Sequence, residues 1–216
     1  MTSIQSKLCA ILMIVAASLL LGGVAAADAV TYHVNVDTSA IDGQSGYVDF
    51  SLLPSDFTSQ SVTAEVQNFA TNGTVSSNSP VLTGDASGLL PGTLTLDNAT
   101  FFNDYFQDFT FGSALSFDLL LNGPALSAPD GISGGSSFTF GMYAPDQITP
   151  LLTTSPDGEA LRIDVNSDGT TSVTTFDAGD GSGSVVQTAQ AVPEPASLTL
   201  LLSGALGVLY KRKHRA

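Results

Sequence analysis

Cysteine is nearly missing from this chain of 216 residues, with Cys9 standing alone near the start. The residues after it therefore offer no disulfide, no thiolate nucleophile and no cysteine metal site. A domain of this size is stable without disulfides, so their lack does not assign a compartment. Basic residues are just as scarce. Lys7 lies near the N-terminus, Lys211, Arg212, Lys213 and Arg215 lie in the last six residues, and Arg162 alone falls between. All twenty acidic residues lie between Asp28 and Glu194, which gives that stretch a formal charge of −19. Such a field repels nucleic acid and anionic membrane surfaces and excludes a nucleic-acid partner. Solubility is the simplest use for it. Tryptophan is absent, which weakens any reading as a platform for stacking on sugar rings. Between the two ends His33 is the only histidine, and a lone outward-facing histidine is a surface residue far more often than a base. No His-Glu-x-x-His motif or phosphate loop occurs. A carboxylate pair of the glycosidase type stays open, because spacing in sequence does not reveal spacing in the fold.

What is present begins with two apolar ends. Residues 1–27 read as a secretory signal peptide. Lys7 supplies the positive region, Leu8 to Leu21 the apolar run, and Ala25-Ala26-Ala27 an A-x-A site, cleaved between Ala27 and Asp28. At the other end Ala196 to Tyr210 is apolar, and Lys211, Arg212, Lys213, His214 and Arg215 follow it. Fifteen residues rise about 22 Å as a helix, somewhat short of a hydrocarbon core of about 30 Å. Tyr210 at the interface and snorkelling Lys and Arg side chains make up the difference. The basic end acts as a membrane stop and stays cytoplasmic by the positive-inside rule. A plain membrane anchor would need nothing more. A GPI signal is not expected to end in a basic cluster.

Pro193, Glu194 and Pro195 precede that run. This order of Pro-Glu-Pro, transmembrane segment and basic end at the extreme C-terminus resembles the PEP-CTERM sorting signal of Gram-negative bacteria. The likeness covers Val192 to Ala216. It implies an exosortase substrate that leaves the cytoplasm through the Sec translocon. It further implies export through the inner membrane to the cell envelope or extracellular matrix, in association with extracellular polysaccharide and biofilm. Pro193, Glu194 and Pro195 are then substrate positions of the exosortase, and the protein itself is expected to be non-enzymatic. Residues 92–121 are similar to a middle region that recurs among such proteins without an assigned activity.

Between the ends, helix formers are scarce and period-2 stripes dominate. Tyr32, Val34 and Val36 alternate, as do Val48, Phe50 and Leu52, then Val62, Ala64 and Val66, then Leu94 and Leu96. Leu115, Phe117, Leu119 and Leu121 form the clearest stripe, followed by Phe138, Phe140 and Met142, by Leu161, Ile163 and Val165, and by Val173 and Thr175. About nine short strands split by Gly, Pro, Asn, Asp and Ser predict an all-β fold. The expected form is a two-sheet antiparallel sandwich, jelly-roll-like, flanked by an N-terminal signal helix and a C-terminal transmembrane helix. The boundaries are 1–27 for the signal peptide, 28–177 for the acidic domain, 178–192 for a flexible Gly/Ser/Gln-rich linker, and 193–216 for the sorting tail.

Two constellations carry candidate chemistry. Asp164, Asn166, Asp168 and Gly169 spell the first half of a calcium loop, but Thr175 stands where the closing Glu belongs. A hairpin turn accounts for the same residues more simply. No cofactor is expected, with Ca²⁺ the one candidate. Phe101, Phe102, Tyr105, Phe106, Phe109 and Phe111 crowd together, and a packed core is favoured over a sugar platform. Arg162, among so many acids, reads as an ion-pair partner. A carbohydrate-binding sandwich, with or without calcium, is the alternative function, and a glycosidase-like enzyme the third.

Overall fold

The computed structural model describes residues 29–190. Alternation of apolar and polar side chains makes strands there, because successive residues of an extended chain face opposite sides. Thirteen strands result among the described residues: β1 (Ala29–Asp37), β2 (Ser45–Pro54), β3 (Thr63–Thr71), β4 (Thr74–Val75), β5 (Val81–Thr83), β6 (Ala86–Gly88), β7 (Leu94–Asp97), β8 (Asn103–Thr110), β9 (Ala114–Asn122), β10 (Ser136–Tyr143), β11 (Glu159–Val165), β12 (Thr171–Thr175) and β13 (Val186–Gln190). The only helices among these residues are one 3₁₀ turn, Ser39–Ile41, and a single turn α1, Pro124–Ser127. None is long and apolar enough to cross a membrane.

Every strand pair is antiparallel. One six-stranded sheet runs β13-β1-β9-β3-β7-β6. A seven-stranded sheet includes the run β12-β11-β10-β2-β8-β4, with β5 also on β8. Their inner faces share one core. Phe50 of β2 sits at its centre, edge-on to Phe69 of β3 and Phe117 of β9 across the gap, and beside Phe138 and Phe140 in its own sheet. Tyr32 of β1 reaches across to β12, its hydroxyl 2.6 Å from Thr171 Oγ1.

The register fixes which loops lie together. At one end of the unit the starts of β1, β3, β8, β10 and β12 meet the ends of β2, β7, β9, β11 and β13. Loops 55–62, 98–102, 123–135 and 166–170 gather there. Asn98 ties them together: its Oδ1 accepts from the Val62 N–H at 2.9 Å and its Nδ2 donates to Ser136 Oγ at 2.8 Å.

The all-β class and the two antiparallel sheets agree with the sequence, and three expectations need correction. The segment read as a linker, 178–192, contains β13, which pairs with β1 from Tyr32↔Gln190 to Val36↔Val186 and buries Val186. Val186 and Ala189, three apart among Gln187, Thr188 and Gln190, show no period-2 stripe. A neighbouring strand with open hydrogen-bonding groups recruits such a segment regardless of composition. Short strands β4, β5 and β6 raise the count above nine, since two or three residues carry too few alternations to be recognised. On β12, the edge strand of the seven-stranded sheet, Val173 is exposed.

Candidate functional site

The outer face of the seven-stranded sheet carries the richest chemistry. Because Val48, Phe50 and Leu52 point into the core, Tyr47, Asp49, Ser51 and Leu53 of β2 must point out. The same alternation turns Asp104 and Phe106 of β8 outward, with Thr139, Gly141 and Tyr143 of β10 and Arg162 of β11. Register then lines them up. One row reads Arg162, Thr139, Ser51, Asp104, and the next reads Glu159, Gly141, Asp49, Phe106. Gly141 brings no side chain between Asp49 and Glu159, and the space over it is taken by Gly158 O and the Tyr143 ring, which a Cβ there would meet at 2.9 and 3.1 Å. Asp49, Ser51, Phe102, Tyr143, Glu159 and Arg162 are among the residues lining the resulting groove, whose volume is about 410 Å³.

The groove holds two polar pairs. Ser51 Oγ donates to Asp104 Oδ1 at 2.8 Å and lies 3.3 Å from Asp49 Oδ1. Burial, then the hydrogen bond from Asp49 to Asp104, then the Asp104 charge push the Asp49 carboxyl up to about 9. Asp49 therefore keeps its proton at neutral pH. Across Gly141, Arg162 Nη2 donates to Glu159 Oε1 at 2.8 Å and lies 2.7 Å from Oε2 and 3.6 Å from Asp157 Oδ2. Glu159 Oε2 meets Nη2 without hydrogen-bond geometry, and Arg162 Nε has no partner. Tyr143 is pushed up to about 12, first by burial and then by the charges of Asp49, Glu159, Asp104 and Asp157. It is a neutral phenol at any physiological pH. Beside it Phe106 stacks on Tyr47, rings 4.6 Å apart.

A larger cavity, about 680 Å³, opens on the six-stranded sheet between Val36, Ala70, Leu115 and Val185. Its one carboxylate, Asp37, is turned to the Ser39 N–H at 3.0 Å, and no set of charged side chains converges there. The smaller groove is therefore the stronger candidate on chemistry.

The residues singled out in sequence fall elsewhere. Asp164 accepts from Ser137 Oγ at 2.6 Å, one row beyond the groove. Asn166 to Gly169 form the turn joining β11 to β12, closed by Asn166 N–H to Thr170 O at 2.8 Å. Asp168 accepts from the Thr170 N–H at 3.0 Å and from its hydroxyl at 2.6 Å. Asp164 and Asp168 are thus each engaged by protein donors, while Asn166 Nδ2 donates to Thr170 Oγ1 at 3.0 Å. Among the described residues no group of three or more His, Cys, Asp and Glu side chains is arranged to hold a metal ion. His33 is exposed on β1, with Nδ1 2.6 Å from Asp118 Oδ1. The aromatic run divides: Tyr105, Phe109 and Phe111 are core, while Phe101 and Phe102 stand about half exposed. Ala25, Ala27, Pro193, Glu194, Pro195, Lys211, Arg212, Lys213 and Arg215 lie outside the described residues.

Sequence reasoning passed over Asp49, Asp104, Glu159 and Tyr143. Their signal was an acid or phenol at an outward position of a stripe, a pattern that surface strands share. Only register shows which of them meet. No family model, curated protein or solved structure matches the chain.

Proposed function

We propose that this chain is an exported, non-enzymatic envelope or matrix protein, sorted by its PEP-CTERM-like tail, whose folded domain binds extracellular polysaccharide in the groove of the seven-stranded sheet. The observation that carries the binding reading is the groove itself. Carboxyl, guanidinium and phenol groups line it together with the ring of Phe102. Sugar hydroxyls both donate and accept. They match the carboxyls of Asp49 and Asp104 and the guanidinium of Arg162, while a ring face packs on an aromatic wall. Two antiparallel sheets on one core are consistent with a jelly-roll-like sandwich, an architecture also used by lectin domains, which is an argument by analogy. The net charge of the stretch favours a neutral or amino-bearing glycan over a uronate polymer.

The non-enzymatic reading draws support from the carboxyl spacing. Glycosidases keep their pair about 5–5.5 or 6.5–9.5 Å apart, so that sugar or water fits between. Asp49 and Asp104 are within hydrogen-bonding reach of each other.

Binding is tested by retention on immobilised dextran, xylan, chitosan and alginate. Phe102→Ala removes a half-exposed wall without touching the core. It weakens binding to the retained polymer roughly tenfold with unchanged thermal unfolding. Failure of all four polymers to retain the chain, or an unaffected F102A, overturns the groove. Sorting is tested by intact mass from the native host, with Pro193, Glu194 and Pro195 intact or replaced by alanine. The expected mature chain starts at Asp28 and ends near Glu194, and the alanine variant keeps its tail. Tails kept through Ala216 in both would mean an ordinary membrane anchor.

A further inference from the structure

Both described chain ends leave the domain at the same end. Ala29 pairs with Asn122 and Gln190 with Tyr32, so β1 begins where β13 finishes. Three of the four loops at that end turn large apolar side chains to solvent. Phe57 in 55–62 is 92% exposed, Phe101 in 98–102 is 47% exposed, and Ile132 in 123–135 is 88% exposed. A domain that buries Phe50, Phe138 and Phe140 completely leaves these three out. Exposed apolar clusters of this kind mark interaction surfaces.

The loops are also braced. Ser59 Oγ donates to Gly135 O at 2.8 Å, Gln60 Nε2 to Ala128 O at 3.1 Å, and the Asp130 N–H to Gln60 Oε1 at 2.9 Å. Phe57 and Phe101 touch across two loops, their ring centres 4.4 Å apart. The apolar tips are held outward by a hydrogen-bonded frame.

The sequence limits how far this end stands from a bilayer. From Gln190 to Ala196, the first residue of the apolar run, is six residues, at most about 20 Å of fully extended chain. We propose that, while the tail spans the membrane, this end of the domain rests on the lipid surface with Phe57, Phe101 and Ile132 in the interfacial layer. The inference depends on reading 196–210 as a transmembrane segment. Aromatic and aliphatic side chains partition into that layer, and neighbouring charges select the lipid. Asp56 and Asp130 stand in the same loops. Each carboxylate accepts hydrogen bonds from its own loop, at 2.7 Å from the Thr58 N–H and 2.9 Å from the Ile132 N–H. Both stay ionised, so zwitterionic headgroups are favoured over anionic ones.

The chain has no tryptophan, so a single introduced one reports its own depth. Full-length F57W, I132W and I148W chains are reconstituted into phosphatidylcholine vesicles with brominated acyl chains. Ile148, 78% exposed in the loop after β10 at the opposite end, is the control. The expected result is flotation of all three with the vesicles and at least twofold quenching at positions 57 and 132 but not at 148. Flotation without quenching at 57 and 132, or with equal quenching at all three positions, overturns the docked end while leaving the membrane tail in place. A chain that does not float overturns the tail reading, and the proposal with it.

Discussion

A chain ended at Ser184 unfolds about 6–12 °C below one ended at Gln190, because the shorter chain lacks β13. Val186 is fully buried against the core, and its loss removes about 1.5–3 kcal/mol of apolar burial. The ladder Tyr32↔Gln190 to Val36↔Val186 goes with it, as does the Asp37 N–H to Val185 O bond of 3.0 Å. The sum is about 3 kcal/mol, and at this chain length each kcal/mol moves the melting temperature by about 2–4 °C. The shorter chain also presents β1 as an open edge with no lysine or proline to block pairing, so it aggregates on heating. Thermal unfolding followed by circular dichroism makes the comparison. Equal melting temperatures would mean that 178–192 is the linker its composition suggested. Under the proposed sorting, cleavage near Glu194 falls beyond β13 and leaves the sheet whole.

Asp49→Asn stabilises the protein at pH 8 by several kcal/mol, up to about 6, and changes little at pH 4. The unfolded chain releases the Asp49 proton near its ordinary value of 3.8, while the folded protein holds it to about 9. Between those values the folded state binds more protons, so stability declines as pH rises through the window. Below it both states keep the proton and the contribution is whole. Asparagine has no proton to lose, and its amide donates to Asp104 in place of the carboxyl. Asp56, Asp118, Asp130, Asp146, Asp168 and Asp180 are shifted the other way, chiefly by side-chain hydrogen bonds. Their contribution is present above the ordinary carboxylate range and is lost as pH falls through their lowered values, below the window that Asp49 governs. Denaturant midpoints from pH 5 to 9 separate the two. A D49N profile that keeps the wild-type slope would show that Asp49 is ionised in the folded protein.

How much could be read in advance depended on how local the cause was. Leu115, Phe117, Leu119 and Leu121 announce β9 because alternation is carried by the residues themselves, and all four are buried. The turn at Asn166 to Gly169 was equally legible, since its hydrogen bonds close within five residues. Val186 to Gln190 was not legible, because what makes it a strand is the open side of β1, some 150 residues earlier in the chain. The aromatic run shows both cases. Tyr105 and Phe109 follow the strand period into the core, whereas Phe101 and Phe102 precede β8 and are turned out by their loop.

The candidate groove belongs to tertiary structure alone. Ser51 and Asp104 are 53 residues apart and meet at 2.8 Å only because β2 and β8 pair in that register. A shift of one residue would send Asp49 into the core and Phe50 into solvent. By itself the sequence determined the all-β class, the acidic charge balance, and the order of Pro-Glu-Pro, apolar run and basic end along the chain. Only the tertiary structure decided which carboxyls meet, that β13 extends a sheet, and that Phe57, Phe101 and Ile132 gather where the chain leaves the domain. Apolar period and charge are summed along the chain, whereas carboxyl contacts and exposure depend on distances that strand pairing sets.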